Sequence, residues 1–108
     1  MVKPSWLQEL YPFKTNHFTV EGNQLHFVDE GEGDPILMVH GNPTWSFYYR
    51  DLIKEFSKTN RVIAPDHIGC GFSDKPQDYE YMLENHISNI EKLVEKLELR
   101  DITLVVHD

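Results

Sequence analysis

The spacing of apolar residues changes from segment to segment along this 108-residue chain, and each spacing predicts an element. Phe18 to Val20 and Gln24 to Asp29 are short apolar-rich runs separated by Glu21-Gly22-Asn23. A turn built on Gly and Asn between two such runs predicts a hairpin. Gly31-Glu32-Gly33-Asp34-Pro35 breaks the chain. Ile36-Leu37-Met38-Val39 is apolar without alternation, the pattern of a strand buried on both faces of a parallel sheet. Helical spacing appears between Trp45 and Lys58, through Phe47, Tyr48, Leu52, Ile53 and Phe56. Arg61 to Ala64 is a short strand stopped by Pro65-Asp66. The clearest helix runs from about Tyr81 to Leu97. Its stripe is Leu83, Ile87, Ile90, Val94 and Leu97, while Glu91, Lys92, Glu95 and Lys96 face water. Ile102 to Val106 is the last strand. Residues 1–14 read as an irregular arm docked through Trp6, Leu7, Leu10, Tyr11 and Phe13.

The order is therefore a hairpin followed by strand–helix–strand–helix–strand. Such alternation predicts an α/β fold with a mostly parallel sheet and right-handed crossovers. Residues 1–108 read as one unit, without repeats, low-complexity tracts or linkers. A helix is expected after Asp108, so the chain is expected to be the N-terminal part of a larger core domain, ending at the last strand.

Composition narrows the function classes. The hydrophobic share of 40% suits a globular core. A net charge of −8 argues against nucleic acid, whose phosphates need a basic face. The acidic groups Glu30, Glu32 and Asp34, and those from Asp78 to Glu84, read as solvated surface. One cysteine, Cys70, allows no internal disulfide and suits a reducing compartment. Met1 to Trp6 carry no apolar leader pattern, and no apolar run approaches the roughly 18–20 residues of a membrane span. The expectation is a cytoplasmic protein without a membrane span.

The candidate chemistry sits at strand ends. His40-Gly41-Asn42-Pro43 follows the buried run Ile36–Val39, and ligands in open α/β sheets bind beyond the carboxyl ends of strands. Asn42 can donate from its side-chain amide and its backbone N–H. Pro43 has no N–H and only fixes the loop. The plain alternative is a polar turn with an ordinary hydrogen-bonded histidine. Asp108 ends the last strand. It reads either as a helix N-cap or as a nucleophilic carboxylate that attacks carbon and forms an ester. In this topology both strand ends open onto the same sheet edge, so the two functional readings reinforce each other. The loop from Pro65 to Pro76 is not a dinucleotide fingerprint, because position 74 is Asp where a third Gly belongs. Asp66-His67 and His107-Asp108 lack metal-ligand spacing, so no metal is expected. Cys70 has no base partner and reads as an inert thiol.

Taken together, His40 to Ser46, the Pro65 to Pro76 loop and Val105-Val106-His107-Asp108 resemble the α/β-hydrolase superfamily, specifically its haloalkane dehalogenase-like branch. The resemblance spans the chain from about Phe13 onward. Serine esterases of that superfamily carry Gly-x-Ser where this chain has Val106-His107-Asp108. Epoxide hydrolases share the Asp but usually carry an aromatic residue where this chain has Asn42. The resemblance implies that Asp108 is the nucleophile. It also implies that Asn42 binds the departing halide of a small-molecule substrate, with a tryptophan expected at position 109. No cofactor is implied. The cap domain, second acid and base histidine of the branch are expected beyond residue 108. The stretches Asn42 to Arg50 and Asp66 to Gly71 are also similar to β-lactone decarboxylases of olefin biosynthesis, which share the scaffold. Carbon–halogen cleavage through an ester is thus the first expectation, and β-lactone decarboxylation the alternative. A non-enzyme reading, an inactive fragment, is the third, and the isolated chain is expected to be inactive. The oligomeric state is unreadable.

Overall fold

The computed structural model describes residues 3–107. The strands are β1 (Asn16–Val20), β2 (Asn23–Glu30), β3 (Pro35–Val39), β4 (Arg61–Pro65) and β5 (Thr103–Val106), and the helices are α1 (Ser5–Leu10), α2 (Arg50–Phe56) and α3 (Leu83–Lys96). One sheet holds all five strands in the order β1-β2-β4-β3-β5. The βαβαβ portion is parallel, β4 and β5 flanking β3. The hairpin joins it through an antiparallel β2–β4 pairing, so the sheet is mixed.

The hairpin turn differs in detail from the sequence expectation. Val20 pairs with Asn23, which leaves Glu21 and Gly22 as a two-residue turn. Both have positive φ, 49° and 82°, as a turn matching strand twist requires. Asn23 belongs to β2, and Glu21 takes the left-handed position instead.

Alternation along each strand assigns the core. Ile36 and Met38 of β3, Val62 and Ala64 of β4 and Val28 of β2 point to one face. There they meet Leu7, Tyr11 and Phe13 of the N-terminal arm, and Tyr49 and Ile53 around α2. Leu37, Ile63, Leu25 and Phe27 point to the other face and meet Ile68, Leu93 and Leu99. Of the five arm residues expected to dock, Leu7, Tyr11 and Phe13 do, whereas Trp6 and Leu10 are exposed. The arm is also not wholly irregular, because it contains α1.

The helix expected from Trp45 to Lys58 is split. Ser46–Tyr49 form a 3-10 turn and α2 follows. Tyr49 and Ile53 are buried, while Tyr48, Leu52 and Phe56 are exposed. In α3 the buried line is Asn89 and Leu93, flanked by the half-buried Ile90 and Val94. Leu83 and Ile87, on the same expected stripe, are 75% and 49% exposed. The first turns of α3 overhang an uncovered part of the sheet.

That uncovered part includes β5. Val105 packs on the α2 face, while Leu104 and Val106 are 59% and 62% exposed on the α3 face. Among the described residues β5 pairs on one side, with β3. An apolar strand with a free edge recruits other chains. The isolated 108-residue polypeptide is therefore expected to self-associate. Replacing Leu104 and Val106 by Lys should shift its sedimentation toward monomer. A monodisperse unsubstituted monomer with strongly protected amides at 103–106 would contradict this.

Candidate active site

The connections leaving β3 and β4 lead to opposite faces of the sheet, to α2 and α3 respectively. A crevice opens where neighbouring strands part company in this way. Three strand ends meet there. His40 follows β3, Asp66-His67 follow β4, and His107 follows β5. Asp108, the expected nucleophile, lies outside the described residues.

Asp66 turns toward the α2 face and is fully buried. Its Oδ1 accepts the Ser46 amide at 2.7 Å. Its Oδ2 accepts His26 Nδ1–H at 2.8 Å and the Phe72 amide at 3.1 Å. Burial alone would raise this carboxyl. The hydrogen bond and attraction of His26, with the two amides, outweigh burial and hold it below its ordinary value. The Ser73 hydroxyl donates to Asp66 O at 2.6 Å and accepts the His26 amide at 2.8 Å. Tyr11 and Ser46 share a hydroxyl contact at 2.5 Å. Gly71 is a backbone necessity here. It has φ of 51°, and a Cβ would stand 2.4 Å from Asp66 Oδ2.

His67, next in the chain, turns the opposite way and lines the cavity. Its amide donates to His40 Nε2 at 3.0 Å. A backbone N–H can only donate, so the His40 ring proton is on Nδ1, which donates to Gly41 O at 2.7 Å. His40, His67 and His86 form a row, with ring centroids 4.4 and 4.7 Å apart. Burial is the first cause that lowers all three pKa values; His40 and His86 add to it at His67, His40 adds to it at His86, and at His40 the added neighbour is His107. His67 is pushed down to about 4. The Nδ1 atoms of His67 and His86 are buried without a hydrogen-bond partner among the described residues.

The loop after β3 frames the other side. The Gly41 amide donates to His107 Nε2 at 3.2 Å, and the Thr44 hydroxyl donates to Gly41 O at 3.0 Å. The Asn42–Pro43 peptide is cis. Asn42 is exposed and lines a cavity of about 920 Å³ with His40, His67, His86 and His107. The floor of this cavity is apolar, formed by β3, β5 and the first turns of α3. Cys70 lies on its wall, half-buried, with its thiol pKa raised first by burial and then by Asp66. A raised thiol pKa disfavours the thiolate, the nucleophilic form. Among the described residues no group of three or more His, Cys, Asp or Glu is arranged to hold a metal ion. No helix among them is long and apolar enough to cross a membrane.

Sequence reasoning picked out Asn42 and the His40 loop, and the fold brings them beside His107. It did not assign a role to His67 or His86. His67 was legible in principle, since it follows a parallel strand on the same edge. His86 carried no signal, because a lone histidine in an amphipathic helix reads as surface.

A mixed sheet of this order, with its polar loops gathered at one edge, defines an α/β-hydrolase core. The chain belongs to the alpha/beta hydrolase fold family, whose profile matches residues 34–108. It is 52% identical over 105 residues to a cis-3-alkyl-4-alkyloxetan-2-one decarboxylase of Shewanella oneidensis, covering 94% of this chain and 33% of that protein. It is 44% identical over 91 residues to a haloalkane dehalogenase of Mycobacterium bovis, covering 84% of this chain and 32% of that one. Among solved structures, a haloalkane dehalogenase from Agrobacterium tumefaciens superposes with a TM-score of 0.81 at 40% identity, over 88% of this chain and 32% of that one. The chain spans about a third of the length of the curated relatives it matches.

Two outcomes are expected. Histidines with lowered pKa bind protons more readily unfolded than folded, so acid destabilises the fold. The loss starts near the unfolded histidine value of about 6.5 and, for His67, continues to about pH 4. Each ring contributes at most about 1.4 kcal/mol per pH unit. Denaturant midpoints at pH 7 and 5 should differ, and His67→Leu should narrow the gap. Separately, Asp66→Ala strands His26 and the Ser46 and Phe72 amides in the interior. It should cost about 3–5 kcal/mol of unfolding free energy, read from the same titrations.

Proposed function

We propose that this chain is the N-terminal third of an α/β-hydrolase-fold enzyme in which Asp108 is the nucleophile and Asn42 steadies the departing anion. The supporting geometry is that β3 and β5 are parallel neighbours with Val39 opposite Val106, so the segments that begin at His40 and His107 leave the same edge, and Asn42 and Asp108 follow them in sequence. The apolar floor of the cavity would be covered by the chain that follows β5. The substrate is a small molecule, the setting cytoplasmic, and no cofactor or metal takes part.

One observation directs the choice of reaction. Identity to the oxetanone decarboxylase is higher and longer than to the dehalogenase, 52% over 94% of the chain against 44% over 84%. An oxetan-2-one is a β-lactone. Attack of the Asp108 carboxylate on its ring carbon C4 would break the C4–O bond and free the ring carboxylate. That group would then leave C3 as carbon dioxide. The electron pair of the broken bond forms the alkene, and the ester bond to Asp108 breaks, restoring the carboxylate. Asn42 would serve the freed carboxylate as a hydrogen-bond donor.

Carbon–halogen cleavage, the first expectation from sequence, stands as the second reading, supported by the 44% identity and the structural match. There the same carboxylate displaces halide, and water hydrolyses the ester to an alcohol. The two reactions differ in products. The full-length protein is to be offered a cis-disubstituted β-lactone and, separately, 1-bromoalkanes and 1-chloroalkanes of several lengths. Alkene and carbon dioxide with negligible halide are expected. Halide and alcohol would install the second reading, and neither product would sink both. Asp108→Ala should abolish turnover with the fold intact, because no other group can form the ester. Asn42→Ala should slow it by about 10²–10³-fold. Wild-type turnover in Asp108→Ala would return Asp108 to a helix-capping role.

A further inference from the structure

Two separate stretches of chain meet on one ring, His107. Val39 and Val106 are partners in the β3–β5 register, so the segments that follow them leave the sheet side by side. The Gly41 amide reaches across and donates to His107 Nε2 at 3.2 Å. Because that amide can only donate, Nε2 is the bare nitrogen, and the proton of the neutral ring is on Nδ1. Thr44 Oγ1 stands 3.2 Å from the same nitrogen. Tyr48 stacks on the ring with centroids 4.1 Å apart and planes 22° apart. Tyr49 meets it edge-on at 5.5 Å, and its hydroxyl donates to Val39 O at 2.8 Å. The plane and tautomer of the ring are thus both specified.

What the ring joins gives this its meaning. The residue after Gly41 is Asn42, and the residue after His107 is Asp108. We propose that His107 is a positioning residue whose Nε2, by accepting the Gly41 amide, sets the spacing between the Asn42 loop and the residue-108 carboxylate. The proposal rests on the nucleophile and leaving-group roles given above. Displacement requires the attacking oxygen and the departing group to lie on opposite sides of one carbon. The separation of carboxylate and donor therefore sets the alignment, and a misplacement of about 1 Å costs on the order of 10²-fold. A ring that merely filled space would need its stack on Tyr48 but no acceptor nitrogen.

Two substitutions in the full-length protein separate these roles. His107→Phe keeps an aromatic ring for Tyr48 and removes the acceptor. His107→Gln gives up the stack and offers an amide oxygen near the Nε2 position. For His107→Phe, kcat should fall by about 10–100-fold with KM changed by less than about threefold, while His107→Gln should stay within about fivefold of wild-type kcat. Wild-type kcat in His107→Phe overturns the proposal, and so does a His107→Gln variant as slow as His107→Phe. A measurement on the unsubstituted protein covers the case in which His107→Phe does not fold. In ¹⁵N-histidine NMR at neutral pH, with the His107 signals identified by their loss in His107→Gln, Nε2 should be unprotonated. A protonated Nε2 overturns the proposal. This reading needs no turnover, so failure of the Asp108 assignment shows up separately, in Asp108→Ala.

Discussion

A carboxylate sealed from water has to be surrounded by donors, and the way Asp66 meets that demand arranges much of this molecule. Its two oxygens gather His26 from β2, the Ser46 amide from the entry to the 3-10 turn, and the Phe72 amide from the loop that leads toward α3. Its own carbonyl is tied through Ser73 back to the His26 amide. Pulling Ser46 inward also explains why helical geometry does not begin at Trp45, as the sequence led us to expect. Trp45 is held extended just before Ser46, and helical geometry starts only after it. The same anchor fixes where the loop after β3 must end, and hence where Asn42 stands.

Asp66 and His67 divide two tasks by the alternation of an extended chain. The first faces the α2 layer and binds structure together. The second faces the cavity and meets His40 and His86. On a chain of net charge −8, a mouth lined by histidines invites reading as a cationic counterweight. Burial instead disfavours the charged form of His40, His67 and His86. An anion in this cavity would meet the Asn42 side-chain amide and the Lys75 ammonium, which both line it.

The fold was largely legible because its signals are local. The unbroken apolar run at Ile36–Val39 marked a strand covered on both sides, and the helical stripe marked α3. The antiparallel β2–β4 seam was not legible, since no sequence pattern states which strand pairs with which. Nor was the exposure of Leu83 and Ile87. They share the stripe of α3, yet the sheet beneath them is uncovered, and periodicity records a face without saying what meets it. In the site, the Asn42 loop was found by its place after a buried strand. The contacts of His67 with His40 and of His107 with Gly41 join segments 27 and 66 residues apart, and His86 meets His67 across a loop, which spacing along a chain cannot express.

The two faces of the sheet also differ in when they can be built. Every fully buried member of the α2-face core lies between Leu7 and Ala64. The opposite core draws on residues as late as Leu99. Chains are synthesised from the N-terminus, and contacts between near neighbours close at lower entropic cost than distant ones. During translation, then, the α2 layer can condense on β2, β3 and β4 while α3 is still inside the ribosome. The cavity and its histidine row would be assembled last, against a half-sheet that is already formed.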